Sequence, residues 1–303
     1  MDNTTAAVLA TRDLTKRYGH FTALDKVSLT VYDGDIYGLV GRNGAGKTTL
    51  FKCLMGLATP TGGTFTIGAD GTAPSLARRG MGFMITPSFF PYLDPVANLT
   101  YLSRVKRLSP AGEVGRLLEV VGLAGVRKPY KTFSLGMKQR LGIAGALLGS
   151  PRIVVLDEPV NGLDPQGIID MRSVIQNAQA ALGVTFVVSS HLLAELDMVA
   201  TRFGFIEQGR LLTEITREDL HEHTKQSLTI AVDDVARTVA ILSTQGVEAT
   251  AGDGRVRVST HLDEPDRIAY ALVTGGVAVY DLHRETTTLE EFFVKLIGGG
   301  ADA

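Results

Sequence analysis

The stretch Gly41-Arg42-Asn43-Gly44-Ala45-Gly46-Lys47-Thr48-Thr49 places three glycines ahead of a lysine and two threonines. Glycines at this spacing let the backbone curl until successive N–H groups converge on an anion, and a helix opening directly afterwards adds the positive end of its dipole. The spacing fits G-x-x-x-x-G-K-[ST], the loop that cradles nucleotide phosphates. Lys47 is then placed to reach the β- and γ-phosphates and the Thr48 hydroxyl to ligate Mg²⁺, with Asn43, Ala45 and Thr49 completing the contact set. A glycine-rich turn that merely precedes a lysine is the plainer alternative. The apolar run at 36–40 before the loop and the helical pattern after it favour the phosphate reading.

Two further strand ends carry groups that suit the same chemistry. Ile153-Val154-Val155-Leu156-Asp157-Glu158-Pro159 ends a run too apolar to have a wet face with two carboxylates. Neighbouring residues leave a strand on opposite sides, so the two acids are free to do different work. Asp157 suits the second coordination of Mg²⁺, and Glu158 the orientation of an attacking water. Val187-Val188-Ser189-Ser190-His191 is another such exit, and His191 at its end is a candidate hydrogen-bond partner of the γ-phosphate. Glu158, His191 and Lys47 form the candidate catalytic set.

These groups need a scaffold that brings several strand ends to one edge. Residues 8–31 alternate in short runs, with Val27, Leu29 and Val31 on one face, as in half-covered antiparallel strands. Asp33-Gly34 turns the chain into the strand at 36–40, and the following helix sets Leu50, Phe51, Leu54 and Leu57 on one side. The apolar runs at 153–156 and 184–188, separated by helical segments, imply a parallel sheet covered on both faces. Between about 87 and 150 the strand signal gives way to helical spacing, with Met137, Leu141, Ala144 and Leu148 on one face of its last helix. A polar segment at 216–226 precedes a new pattern. Strands at 228–232, near Val247, at 255–259 and at 277–282, helices at 235–245 and 264–273, the turn Asp253-Gly254 and a closing helix at 288–297 give a β-α-β-β-α-β order, that of a small ferredoxin-like unit.

Composition narrows the classes. The 303 residues suffice for one large α/β domain and a small second one. Thirty Lys and Arg against 32 Asp and Glu give a net charge of −2, and no run of like charges tracks a nucleic-acid backbone or an anionic membrane, so no nucleic acid is expected as a partner. The polar start MDNTTAAVLATRD lacks the basic and apolar regions of a signal peptide, no stretch spans a bilayer, and the single Cys53, expected to be a small buried residue, forms no internal disulfide. A cytoplasmic location is expected.

Taken together, the motifs resemble the ATP-binding subunit of ABC transporters over the first 220 or so residues. Phe133-Ser134-Leu135-Gly136-Met137-Lys138-Gln139-Arg140 resembles the family signature, Asn161-Gly162-Leu163-Asp164 its D-loop, and Tyr18 stands at the place of the aromatic that stacks on adenine. The resemblance implies an α/β fold: a P-loop NTPase cassette of mostly parallel sheet with an antiparallel β subdomain and a helical subdomain at about 87–150, spanning 1–220, plus the accessory α+β domain at 221–303. It implies ATP and Mg²⁺ as ligands, and a homodimer or paired cassettes in which Ser134 and Gly136 of one copy, with Asp164, meet the nucleotide held by the other. It also implies a separate transmembrane permease, docked on the helical subdomain and driven by ATP hydrolysis, with this chain peripheral at the inner face of the membrane. The signature helix supports this physically, because Ser134 is placed to cap a helix whose N-terminus is a second phosphate-facing surface.

The signature, the D-loop and the ending Thr288-Leu289-Glu290-Glu291-Phe292-Phe293 look most like the bacterial drug, bacteriocin and lantibiotic exporter branch. A soluble family member acting on ribosomes or DNA is the alternative, and a small-molecule kinase has no place for the signature.

Three positions depart from the family pattern. Residues 81–93 contain neither Gln nor Glu where the Q-loop glutamine stands, leaving Thr86 or Ser88 as the only short oxygen donors. Arg42 replaces a common proline, and Met137 the signature glutamine. His221-x-His223 is read as a solvated linker in preference to a metal site, and nothing beyond about residue 224 clusters titratable groups for chemistry.

Overall fold

The computed structural model describes residues 6–68, 78–109, 112–224, 227–252, 254–285 and 288–299. The chain divides into two compact units between Arg217 and Glu218. In the first, strand β1 (Ala7–Tyr18) pairs antiparallel with β2 (Phe21–Val27), β3 (Thr30–Tyr32) and β5 (Gly62–Ile67). A second sheet has the order β10-β9-β4-β8-β7-β6, built from β4 (Ile36–Val40), β6 (Met81–Met84), β7 (Ile153–Asp157), β8 (Thr185–Ser190), β9 (Arg202–Glu207) and β10 (Arg210–Thr216). Its strands run parallel except for the β9-β10 hairpin. Strands β4, β7 and β8 are buried at every residue, as their unbroken apolar runs require.

The main core lies between the two sheets. Helix α1 (Lys47–Met55) sends Leu50, Phe51, Cys53 and Leu54 into a cluster with Leu9, Leu14 and Val27 from the antiparallel sheet and Leu39, Val155 and Val187 from the parallel one. Burial of these side chains, worth about 1.5–3 kcal/mol each, fixes α1 and the loop before it against the strand ends. Leu57 does not join them: Gly56 ends α1 in a left-handed cap at φ 79°, and Leu57 lies past it, 68% exposed.

The helical insert comprises α2 (Pro95–Val105), α3 (Glu113–Val120) and α4 (Leu135–Leu147). Asp94 caps α2 by accepting from Ala97 N at 2.8 Å, with Pro95 in the first turn, and Ser134 caps α4 by accepting from Met137 N at 3.3 Å. Helix α4 is buried all round from Leu141 to Leu147, not on one face, and Met137 is only half-buried. The reason is its contact with β6, where Gly82 and Gly142 let backbone and side chains approach closely: a Cβ on Gly82 would fall on the Ala146 carbonyl oxygen.

Helices α5 (Pro165–Leu182) and α6 (Leu193–Asp197) complete the first unit. Strands β5, β6, β9 and β10 have no counterpart in the sequence reading: glycines fall within β5, β6 and β9, and Arg210–Thr216 mixes polar and apolar residues without strict alternation. Likewise the polar segment after 216 folds as helix α7 (Arg217–Thr224), on which His221 is exposed.

The second unit holds β11 (Ser227–Val232), α8 (Val235–Thr244), β12 (Ala249–Gly252), β13 (Arg255–Val258), α9 (Pro265–Thr274) and β14 (Val279–Glu285). They form an antiparallel sheet of order β12-β13-β11-β14, followed by α10 (Leu289–Gly299). Its core joins Leu228 and Ile230 of β11 to Leu242, Ile268 and Leu272 of the helices. Val247 is buried but precedes β12 and does not belong to a strand. Asp253 of the Asp253-Gly254 turn and the first five residues of the polar start lie outside the described residues.

Gly82→Ala is expected to destabilise the first unit by about 1–3 kcal/mol through overpacking against α4. Urea unfolding followed by circular dichroism measures this, and an unchanged midpoint would refute the close approach.

Candidate nucleotide site

The parallel register brings the ends of β4, β7 and β8 to one edge. Val40 pairs with Ser190, and Asp157 with Ser189, so the loop after β4, the two carboxylates and His191 emerge side by side. Ligands of open α/β sheets bind at this edge.

The loop from Gly41 is shaped by backbone contacts that leave no room for side chains. A Cβ at Gly41 would strike the Ile206 carbonyl oxygen. Gly46, at φ 112°, lies against the Ala23 carbonyl and Gly209, in a region of backbone space that L-residues avoid. Gly41 N donates to Ser190 O at 3.3 Å, Ala45 N to Arg42 O at 3.1 Å and Gly209 N to Ala45 O at 2.9 Å, tying the loop to β8 and to the β9-β10 turn. Gly46 offers α1 no side-chain cap, no acidic residue stands in the first turn, and Leu50 N is bonded to Gly46 O at 2.9 Å. The earlier amides of the turn are left for an external acceptor, the arrangement that binds anions.

Lys47 is 5% exposed, and its Nζ donates to Gly41 O and, at 3.2 Å, to Arg42 O while lying 3.1 Å from Glu158 Oε1. Glu158 Oε2 is in turn 2.8 Å from His191 Nδ1. The carboxylate thus bridges a cation and an imidazole at the loop's mouth. Asp157 takes different partners: its Oδ2 accepts from Thr48 Oγ1 at 2.7 Å and its Oδ1 from Ser189 Oγ at 2.7 Å. Glu158 has a left-handed φ of 49°, uncommon for a residue with a side chain, which turns the chain off the strand between the two acids. Ser189 Oγ also accepts from Glu158 N at 2.9 Å, so one hydroxyl steadies the Asp157 carboxylate and the backbone of Glu158. Sequence reasoning gave Ser189 no role. Its place two residues before His191 on a buried strand was the available signal, but only the Asp157–Ser189 register shows what it touches.

The Thr48 hydroxyl and the Asp157 carboxylate are hard oxygen donors held together, a set that fits a divalent cation such as Mg²⁺.

The remaining candidates sit elsewhere on the first unit. Asn43, Gly44 and the half-buried Thr49 belong to the loop and the first turn of α1, with Ala45 buried beneath. Tyr18 ends β1 at 48% exposure, with the Lys16 ammonium 4.7 Å from its ring centre. Ser134 is exposed at the tip of α4 with Gly136 beside it, and both line a shallow groove with Gly162 and Asp164. Asp164 is exposed and caps α5 by accepting from Gly167 N at 3.1 Å. Thr86 and Ser88, both exposed, follow β6 and line a different, apolar groove.

This fold and edge define a P-loop nucleotide site, and comparison with known proteins makes the class specific. Residues 24–161 match the family described as ABC transporter. The bacitracin transport ATP-binding protein BcrA of Bacillus licheniformis is 37% identical over 303 residues, covering 97% of this chain and 99% of its own. The lantibiotic transport ATP-binding protein SrtF of Streptococcus pyogenes is 38% identical over 209 residues, covering 68% of this chain and 90% of its own. Among solved structures, an ATP-binding subunit of an ABC transporter is 30% identical with a TM-score of 0.61, covering 71% of this chain and 92% of its own. The structure of cbiO1 from Clostridium perfringens, part of the cbiONQ complex, has a TM-score of 0.65 at 23% identity over 71% of this chain and 91% of its own, a likeness of fold. The chain belongs to the ABC transporter family, as an ATP-binding subunit that hydrolyses ATP. Among the described residues no helix is long and apolar enough to cross a membrane.

Ser189→Ala, which removes one bond from Asp157 and one from Glu158 N, is expected to lower ATP turnover about 10- to 100-fold, the usual cost of losing a group that orients a metal ligand. Turnover measured against Mg²⁺ concentration checks it; an unchanged profile would exclude the positioning role.

Proposed function

We propose that this chain powers transport of a drug, peptide or lipid-like compound out of the cell through a separate membrane permease, working as a homodimer or as one of a pair of cassettes. The observation that carries the hydrolytic half is Glu158, held between Lys47 and His191 while Asp157 faces Thr48. In this reading the glycine loop and the α1 N-terminus bind the phosphates of ATP, Tyr18 stacks on its base, and Thr48 and Asp157 hold Mg²⁺. The ion, when bound, neutralises charge on the phosphate oxygens. Lys47 exchanges its carbonyl and carboxylate partners for phosphate, which loosens its pair with Glu158 and frees that carboxylate to orient the attacking water. His191 holds Glu158 through Nδ1, leaving the other ring nitrogen for the γ-phosphate.

The exposed tip of α4 supports the paired arrangement. Ser134, Gly136 and Asp164 line one surface groove, accessible to a nucleotide carried by a second cassette. For the permease, the supporting feature is an apolar groove of about 550 Å³ lined by Met84, Phe89, Phe90, Tyr101, Gly142 and Gly145, large enough for one amphipathic helix end. Its lining contains no Gln or Glu side chain; the polar side chains there include the Thr86 and Ser88 hydroxyls, Lys106, and the Asn98 amide, which bonds the backbone of Phe90, Leu93 and Asp94. The chain is accordingly placed at the inner face of the membrane, held through its permease. The strand and helix order of the second unit supports reading it as a ferredoxin-like accessory domain, regulatory or dimer-supporting, beginning near 221.

The direction and substrate class rest on relatives named for bacitracin and lantibiotic transport. A soluble ATPase acting on ribosomes or DNA is not favoured, since the bacitracin relative is matched over 99% of its length and is a transport protein by name.

Glu158→Gln is expected to lower ATP turnover by roughly a hundredfold or more while ATP binding persists and an ATP-bound dimer accumulates. Size-exclusion chromatography with ATP and a phosphate-release assay read both effects, and parental turnover would remove Glu158 from its role. Lys47→Ala is expected to weaken ATP binding about tenfold or more by deleting a charge-assisted bond to phosphate. Titration calorimetry measures it.

A further inference from the structure

We infer that the helical insert carries a second, electrostatic contact surface, which binds the anionic headgroups of the bilayer beside the permease. Residues 87–150 hold nine Lys and Arg against three Asp and Glu, a net of +6 in a chain of net charge −2, so the rest of the chain carries −8. The basic residues are dispersed in sequence and form no run. Folding gathers three of them around exposed apolar side chains. Arg104 of α2 and Arg127, from the loop after α3, line one groove with Leu93, Tyr101 and a single acid, Asp94. The Lys131 ammonium lies 4.7 Å from the ring centre of Tyr92, itself 76% exposed, and Tyr101 meets Phe90 edge-on at 4.8 Å. Val105, one turn beyond Tyr101 on α2, is 61% exposed.

Among the described residues, Arg104, Arg127 and Lys131 make no ion pair. Of the three carboxylates in this segment, Asp94 lines the same groove but spends Oδ1 on capping α2, Glu113 accepts from Gly149 N at 2.8 Å, and Glu119 is exposed on α3, so the patch keeps an excess of positive charge. Lys106 does not belong to the patch, because its Nζ bonds the Gly145 and Leu148 carbonyls at the end of α4, at 3.2 and 3.3 Å, and burial pushes its pKa down. Uncompensated cations flanked by exposed tyrosine, phenylalanine and aliphatic side chains suit the membrane interface, where aromatic rings sit at headgroup level and anionic lipids attract the charges. This goes beyond the proposed transport function: Phe90 and Tyr101 also line the permease groove, so the surface adjoins it, while the three cations lie outside that groove's lining.

The test is sedimentation of the full chain with protein-free vesicles, equal parts phosphatidylglycerol and phosphatidylcholine, against phosphatidylcholine alone. Binding is expected to the anionic vesicles only, to weaken with added salt, and to fall at least about a hundredfold in R104E/R127E/K131E, while the ATP turnover of that variant stays at the parental value. Tyr92→Ser is expected to weaken binding with no change in its salt dependence. Equal binding of parent and triple variant, or equal binding to both lipids, overturns the inference. So does failure to bind protein-free vesicles together with protease-sensitive binding to inside-out membranes, which would assign the patch to a protein partner. Turnover measured on the same samples separates loss of lipid binding from loss of the ATPase.

Discussion

Everything at the site depends on one buried ion pair, that between the Lys47 ammonium and the Glu158 carboxylate. A lysine that is 5% exposed is costly unless its charge is met, and here two loop carbonyls and one carboxylate meet it. The carbonyls come from the glycine loop itself, so the loop's curl and the lysine's position stabilise each other. Glu158 comes from a different strand and is also held by His191. In the proposed reading, a phosphate that takes Lys47 changes the partners of Glu158, and nucleotide binding is coupled to that carboxylate through a single contact.

That coupling needs the strand ends to be level, and the sheet supplies it. The order β9-β4-β8-β7 sets the phosphate loop between the β9-β10 turn and the Ser189–His191 exit, with the carboxylates one strand further. Packing fixes the arrangement more firmly than hydrogen bonds alone would: Ile206 and Ala23 leave no room for a side chain at Gly41 and Gly46, and the core between the sheets holds α1 in place. The left-handed backbone of Glu158 is the local strain accepted so that adjacent acids face different partners.

The same constraint shapes the helical insert. Helix α4 is buried all round beyond its first turns, which holds its tip, with Ser134 exposed and Gly136 half-buried, at a defined place relative to β6 and the apolar groove beside it. Helical periodicity predicted one apolar face for α4. The contact with Gly82 and the aromatic groove buries the others as well, an outcome of tertiary packing that no helical pattern encodes.

From sequence alone, the phosphate loop, the two acids, His191 at its strand exit and the capped signature helix were legible, because each is a short run whose residue types carry local geometry: glycines for a curl, apolar runs for buried strands, Ser134 for a cap. The existence of α1 and of strands β4, β7 and β8 followed for the same reason. Strands β5, β6, β9 and β10 were not legible, since glycine falls within the first three and Arg210–Thr216 does not alternate, and Leu57 fell past a helix end that the Gly56 cap decides. Ser189 could be seen but not assigned, and the cations at 104, 127 and 131 looked unrelated. What touches what across strands is set by register and crossover, which depend on the whole core at once; only the tertiary structure decides that Ser189 steadies Asp157 and that scattered charges share a face.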